Sequence, residues 1–129
     1  MKVKIYEIQQ FNEVYNKIKD ITLPIKLGYR LAKLAAQCQK EMEIYQSQLT
    51  KLIQEYGARD EKGELIPTED GTGIKIKEDK IKECQDKITE LITIDVELNE
   101  EPILISFFED DVKLSVDDIK CLSPFLSEE

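Results

Sequence analysis

The side chains best suited to chemistry form an acidic cluster near the C-terminal end of the sequence. Clustered carboxylates can bind a divalent cation or act as general acids and bases. Consecutive residues, however, point in different directions on any backbone, and neither a histidine nor a glycine-shaped loop accompanies the cluster. We therefore predict no metal site and no cofactor here, and we treat the cluster as a candidate partner-binding surface. Its members are Glu109, Asp110, Asp111, Asp117 and Asp118.

Other kinds of catalytic site have little support. The chain contains no histidine, which is the commonest general base, metal ligand and triad partner in enzymes. Its three cysteines, Cys38, Cys84 and Cys121, are far apart and lie among apolar neighbours, which is typical of reduced, buried thiols. Without a histidine partner they are poor nucleophiles. We expect that the protein is not an enzyme.

Two glycine-containing segments also fall short of ligand-binding motifs. Asp60-Glu-Lys-Gly63 lacks the alternating Asp or Asn residues and the later Glu of a calcium loop. Gly71-Thr-Gly73 is too short for the dinucleotide pattern and does not stand between a strand and a helix. Both segments are better interpreted as turns.

The net charge of −9 is unevenly distributed. Residues 1–94 contain 16 acidic and 16 basic side chains, whereas residues 95–129 contain 11 acidic side chains and two lysines. Residues 1–40 are basic, so the first and last thirds can pair, either within one chain or between two chains. A solvated acidic surface is the plainer alternative. Direct binding to nucleic acid is disfavoured because it requires a basic surface, although an acidic segment can imitate DNA phosphates.

One apolar seam organises the rest of the chain. Its residues recur at about 3.57 residues per step, between a coiled coil and a straight helix. Pro24 suits the first turn of a helix, and Gly57 suits the left-handed residue that follows the last turn. Together with the apolar spacing, these two residues predict a helix from Pro24 to Tyr56. Such a helix is roughly 50 Å long, so it must protrude or be covered along its length by other elements or by a second copy. The predicted assembly seam comprises Leu31, Leu34, Cys38, Met42, Tyr45, Leu49, Leu52 and Tyr56.

Periodicity elsewhere predicts a mainly helical α+β fold. We expect one domain over 1–129, with a long antiparallel helical hairpin over about 7–92, a β-hairpin at its tip, and an acidic, β-rich segment with a small sheet over about 93–129. Ser115 begins a capping box for the last helix, and the terminal Ser127-Glu-Glu129 should be frayed. The predicted helices are 7–19, 24–56, 78–92 and 115–122, and the predicted strands are 2–6, 94–98, 103–108 and 112–114.

The chain also resembles small uncharacterised proteins from phages and prophages of Gram-positive bacteria. The resemblance lies in Tyr56-Gly57-x-x-Asp60-Glu61-x-Gly63, in Gly73-Ile74-x-Ile76, and in the later Val96-x-Leu98 and Val112-x-Leu114-Ser115 segments. It implies a phage-encoded accessory protein and supplies no catalytic residues. The order helix, hairpin, helix is similar in architecture to the prefoldin subunit, but the acidic C-terminal segment has no counterpart there.

These observations favour a non-enzymatic protein-interaction module, coiled-coil-like and homodimeric, that binds an unidentified host or phage protein. The first alternative is an acidic anti-defence inhibitor that imitates DNA and blocks a nucleic-acid-binding host enzyme. The second is a minor virion or assembly component. No run of 18 apolar residues and no signal-peptide core is evident, so we expect a protein of the bacterial cytoplasm without a membrane partner.

Overall fold

A computed structural model describes residues 1–108 and 112–128 of the chain. Over these residues the fold is mainly helical with small sheets, as the coarse prediction stated. The described helices and strands are α1 (Ile5–Ile18), α2 (Ile25–Tyr56), α3 (Ile81–Ile92), α4 (Val116–Leu122), β1 (Lys2–Lys4), β2 (Asp95–Glu97), β3 (Ile103–Leu104) and β4 (Leu126–Ser127). Short 3-10 helices occupy Glu78–Lys80, Ile105–Phe107 and Ser123–Phe125. No helix in this described part is both long enough and apolar enough to cross a bilayer.

The chain divides into two compact units. The terminal unit comprises Met1–Met42 and Ile94–Glu129, and the central unit comprises Glu43–Thr93. The boundary falls inside α2, which contributes its N-terminal part to the terminal unit and its C-terminal part to the central unit.

Helix α1 and the β1–β2 sheet open the terminal unit. The Glu7 side chain accepts a hydrogen bond from the Lys4 backbone N–H at 2.8 Å, which satisfies one of the free donors at the start of α1. Strand β1 pairs antiparallel with β2 and places Val3 opposite Val96, both of them buried. The apolar residues of α1 recur at helical spacing and are buried. They are Ile5, Ile8, Phe11, Val14 and Ile18.

The centre of the terminal unit is an aromatic contact between the two ends of the chain. The Phe11 and Phe125 rings are both fully buried, with centroids 4.9 Å apart and planes inclined by 48°. Such a tilted arrangement is favourable for aromatic rings. The N-terminal part of α2 contributes further buried side chains to this unit. They are Leu27, Leu31, Leu34 and Cys38.

The C-terminal segment contains less strand than its alternating pattern predicts. Within the predicted strand 103–108, only Ile103 and Leu104 form β3. They pair in parallel with Leu126 and Ser127, the two residues of β4. Ile105–Phe107 then forms a 3-10 turn, closed by a 2.9 Å bond from the Phe108 N–H to the Ile105 carbonyl. Residues 112–114 are not a strand, and Ser127 belongs to β4 although fraying was predicted. The prediction of one small sheet in this segment was therefore wrong: the described strands form two separate two-stranded sheets.

The central unit consists of the C-terminal part of α2, a β-bridged loop and α3. Three antiparallel bridges hold the loop: Gly57 with Ile76, Arg59 with Leu65, and Pro67 with Ile74. The turns within it use glycines at positive φ, Gly63 at 79° and Gly71 at 73°. The apolar residues buried most fully in this unit are Tyr45, Tyr56 and Cys84.

Gly57 has a different role from the one predicted. The predicted left-handed conformation is wrong, because the glycines with positive φ are others and Gly57 instead joins the bridge to Ile76. A Cβ atom at Gly57 would lie 2.5 Å from the Ile53 carbonyl oxygen and 2.6 Å from a Leu65 methyl group. Glycine is required here because the backbone passes close to its neighbours.

Candidate functional site

An apolar groove in the terminal unit is the best candidate site in the described part of the chain. It has a volume of about 310 Å³, at the small end of the range for binding pockets. Its walls come from the 3-10 turn after β3, the segment before α4, α4 itself and β4. The lining side chains are Ile105, Phe108, Val112, Leu114, Ile119, Leu122 and Leu126. Such a lining can hold apolar side chains, and it offers no nucleophile or general base.

Helix α4 is held in place by a capping box and one long-range ion pair. The Ser115 hydroxyl accepts a hydrogen bond from the Asp118 N–H at 3.0 Å, and the Asp118 carboxylate accepts one from the Ser115 N–H at 3.4 Å. The Lys17 ammonium donates to the same carboxylate at 3.1 Å. Lys17, together with the bonds from Ser115, holds the pKa of the Asp118 carboxyl below its ordinary value. The groove wall that contains Ile119 and Leu122 is thereby fixed against α1.

A second apolar feature lies at the start of α2. Ile25 is 90% exposed and Tyr29 is 64% exposed, one helical turn apart, and we call this pair the ridge. The Lys33 ammonium lies 5.6 Å from the centre of the Tyr29 ring, within range for a cation–π contact. A shallow depression beside the ridge is lined by Pro24, Ile25, Lys26, Ser106 and Phe107. The Ile25 end of the ridge therefore lies beside the segment Ile105–Phe108, and Ile105 and Phe108 of that segment line the groove.

The predicted acidic cluster is only partly described. Glu109, Asp110 and Asp111 lie outside the described residues. Asp117 is exposed, whereas the Asp118 side chain is only 12% exposed and is engaged with Lys17 and Ser115. Asp117 also lies away from the groove, in a separate depression with Gln10, Lys120 and Cys121. Within the described residues, the structure does not bring Asp117 and Asp118 together as one binding site.

The basic first third and the acidic last third meet within one chain. This was one of the two arrangements that the charge layout left open. The ion pairs between them join Lys2 and Lys4 to Asp95, Lys17 to Asp118, and Lys33 to Glu100. The Arg30 guanidinium also donates to the Glu101 carbonyl at 2.8 Å. Three acidic side chains of the last third, Asp95, Glu100 and Asp118, are therefore paired with basic side chains of the first third inside the terminal unit.

The predicted assembly seam has a different environment in each unit. In the terminal unit, Leu31, Leu34 and Cys38 are at most 1% exposed, and Met42 is half-buried. In the central unit, Tyr45 and Tyr56 are buried, and Leu49 and Leu52 are half-buried. The first part of the seam thus already belongs to the core of a single chain.

The thiols and carboxylates form no reactive or metal-binding centre in the parts of the chain that the structure describes. Burial raises the pKa of Cys38 to about 12 and also raises the pKa of Cys84, so both thiols stay protonated at neutral pH. Among residues 1–108 and 112–128, no group of three or more cysteines and carboxylates has a metal-binding arrangement.

Ridge and groove were not identified from the sequence. The weak signal for the ridge is that Ile25 and Tyr29 are one turn apart on the face of α2 opposite Leu34, where a one-sided helix should be polar. The groove gave no signal, because its lining comes from four segments whose proximity is set by the tertiary fold.

Comparisons with protein-family models, with curated proteins and with solved structures found no match to this chain.

Proposed function

We propose that this chain is a non-enzymatic protein-interaction module that binds another protein chain through the ridge and groove of its terminal unit. The observation behind the proposal is the exposure of large apolar side chains in the groove and on the ridge: Ile105 and Ile119 of the groove lining are 46% and 49% exposed, and Ile25 and Tyr29 of the ridge are 90% and 64% exposed. Exposed large apolar side chains that line a groove are typical of protein-binding sites.

Two properties of the surface support protein as the ligand. The groove lining is apolar, so binding must depend on apolar contacts rather than on one charged or coordinating group. The ridge presents two large side chains one helical turn apart, the spacing with which helices anchor in apolar grooves of partners.

The biological setting is proposed from the sequence resemblance. A phage or prophage accessory protein would act in the cytoplasm of its bacterial host, by binding a host or phage protein. The three alternatives of interaction module, anti-defence inhibitor and virion component predict different partners, so identifying the partner decides among them.

We also propose the antiparallel helical hairpin for the central unit. In support, the Lys77 N–H donates to the Tyr56 carbonyl at 3.0 Å, and the Ala58 N–H donates to the Lys75 carbonyl at 2.8 Å. The chain that leaves α2 and the chain that approaches α3 therefore run side by side in opposite directions at the β tip.

The proposed function is tested by capturing proteins on the immobilised full chain from a Gram-positive lysate, with and without phage infection. Each captured candidate is then purified, and its affinity is measured by calorimetry for the wild type and for a variant with Ile25→Glu and Ile119→Lys. We expect a Kd in the micromolar range or below, and at least about tenfold weaker binding by the variant, because both changes place charge in an apolar contact. Equal affinity of wild type and variant for every candidate would refute the proposal.

A further inference from the structure

We infer that Glu100 is a positioning residue for the ridge: through Lys33 it holds the Tyr29 ring in one orientation on the surface of α2. The inference rests on the proposed function, because Tyr29 is one of the side chains through which the partner protein is proposed to bind. Glu100 itself has little surface for a partner to contact, since its side chain is only 11% exposed.

The Glu100 carboxylate is fixed from the side of α2. The Gln37 amide N–H donates to Glu100 Oε1 at 3.2 Å, and the Gln37 side-chain oxygen accepts a hydrogen bond from the Asn99 N–H at 2.8 Å. One glutamine of α2 thus binds two consecutive residues of the bend that follows β2. Because the carboxylate is nearly buried and hydrogen-bonded, its negative charge has a defined position beside the helix.

The Lys33 ammonium contacts both this carboxylate and the Tyr29 ring. It lies 3.5 Å from Glu100 Oε1 and 5.6 Å from the centre of the ring, which is within cation–π range. The Lys33 side chain is 48% exposed, and a free lysine chain samples many rotamers in water. The fixed carboxylate therefore selects the position of the ammonium, and the ammonium selects the orientation of the ring.

An ordered Tyr29 ring favours partner binding. Tyr29 is 64% exposed, and an exposed side chain loses rotamer freedom when a partner buries it. Aromatic side chains of this kind carry much of the affinity at protein interfaces. A ring that is ordered in advance loses less entropy on binding, so Glu100 strengthens binding through the ridge although it offers little contact surface of its own.

Nuclear magnetic resonance of the full chain tests the positioning without a partner. For the wild type we expect Overhauser effects between the Lys33 ε protons and the Tyr29 ring, and three-bond couplings that report one dominant χ1 rotamer of Tyr29. Glu100→Gln removes the charge and keeps the shape, and it should weaken the Overhauser effects by about twofold, as loss of a partly exposed ion pair predicts. Glu101→Gln is the matched control, because the contact of Glu101 with Arg30 of α2 is made by its backbone carbonyl.

Variants of Lys33 separate positioning from structural support. Lys33→Arg keeps a cation that can pair with Glu100 and stack on Tyr29, so the dominant rotamer should persist. Lys33→Met keeps an apolar chain without the charge, so the rotamer preference should weaken as in Glu100→Gln. Circular dichroism checks that each variant is folded. The inference is overturned if Tyr29 keeps its rotamer in both Lys33→Met and Glu100→Gln, or if Glu101→Gln weakens the Overhauser effects as much as Glu100→Gln does.

The affinity for a captured protein is the second measurement. The protein used is one whose binding is weakened by the combined Ile25→Glu and Ile119→Lys changes. Glu100→Gln and Lys33→Met should each raise its Kd by about three- to tenfold, whereas Lys33→Arg should keep the wild-type Kd. Wild-type affinity of both Glu100→Gln and Lys33→Met would overturn the inference.

The two proposals fail separately. If the resonance measurements follow the expected pattern but no captured protein depends on the ridge and groove, the proposed function is refuted and the positioning of Tyr29 by Glu100 stands. If a captured protein binds through the ridge while Tyr29 of the wild type samples several rotamers equally, the positioning role is overturned and the proposed function stands.

Discussion

The Lys17 ammonium on α1 lies 3.1 Å from the carboxylate of Asp118 on α4, across 101 residues of sequence. The pair joins the basic and acidic thirds of the chain at the helix that forms one wall of the groove. The same carboxylate also accepts a hydrogen bond from the Ser115 N–H at 3.4 Å, as part of the capping box at the start of α4. One carboxylate therefore both starts α4 and links it to α1.

Asp118→Asn should lower the melting temperature at pH 7, and the deficit should shrink in acid. The folded pKa of Asp118 is lowered, so its contribution to the free energy of unfolding is present above the unfolded pKa of about 3.9 and is lost as pH falls through the folded value. Thermal unfolding followed by circular dichroism between pH 7 and pH 2.5 measures this. The exposed Asp117→Asn is the control and should behave as the wild type. A deficit that does not narrow below about pH 4 would contradict this role.

Phe125→Ala should destabilise the protein by about 3–5 kcal/mol, because it removes a fully buried ring that packs on Phe11. Chemical unfolding with a linear extrapolation to water measures the change. Val116→Ala, at a side chain that is 75% exposed, should change the free energy of unfolding by less than about 0.5 kcal/mol. If both variants lose the same stability, Phe125 is not part of the core.

Gly57→Ala should destabilise the central unit by about 1–3 kcal/mol, because the added methyl group collides with the Ile53 carbonyl and with Leu65. Hydrogen exchange of the loop and α3 should speed up accordingly. Gly73→Ala is matched to it, since its Cβ would meet only a Thr68 methyl group at 3.9 Å. Loss of protection in the Gly73 variant but not in the Gly57 variant would show that the close approach at Gly57 is wrong.

Cys121 should be alkylated first when the native protein is treated with iodoacetamide near pH 8. It is half-buried, whereas Cys38 and Cys84 are buried and their pKa values are raised, which leaves little thiolate on either. Mass spectrometry of digested samples over time gives the order of modification, and in denaturant the three rates should converge. Rapid native alkylation of Cys38 would contradict its place in the core.

The helices were predictable because their signals are local. Ser115 and Asp118 form the capping box that their spacing indicated, and the predicted and observed ends of α2 differ by one residue at Ile25 and coincide at Tyr56. The parallel pairing of Ile103 with Leu126 was not predictable, because both strands are very short. The sequence around Ile103 favours a longer strand, and the sequence after Leu126 favours a frayed end. The sequence also gives no signal of the boundary between the two units at Met42 and Glu43. The helical spacing of the apolar residues and the predicted seam both continue across this boundary.

The candidate site was the least predictable part. Ile119 and Leu122 differ little as residues, yet Ile119 is 49% exposed and Leu122 is 1% exposed. The exposure of each residue depends on how α4 packs in the terminal unit, where Asp118 pairs with Lys17. The sequence showed only that Lys17 and Asp118 lie in oppositely charged thirds. Charge layout thus indicated that the thirds could pair, but not which atoms would meet.

The terminal unit is assembled from two separate stretches of chain, and this has a consequence for folding during synthesis. Strand β1 and α1 leave the ribosome early, but β2, Phe125 and Asp118 follow only after the whole central unit has been made. Until then the apolar stripe of α1 that includes Phe11 has no partner from β2 or α4. The central unit is contiguous and can begin to fold first, whereas the terminal unit must wait for contacts of high sequence separation, which form slowly. A ribosome that stalls before Ile94 would therefore release a chain in which α1 lacks its partners from β2 and α4, and the apolar surface that they would cover is prone to aggregation.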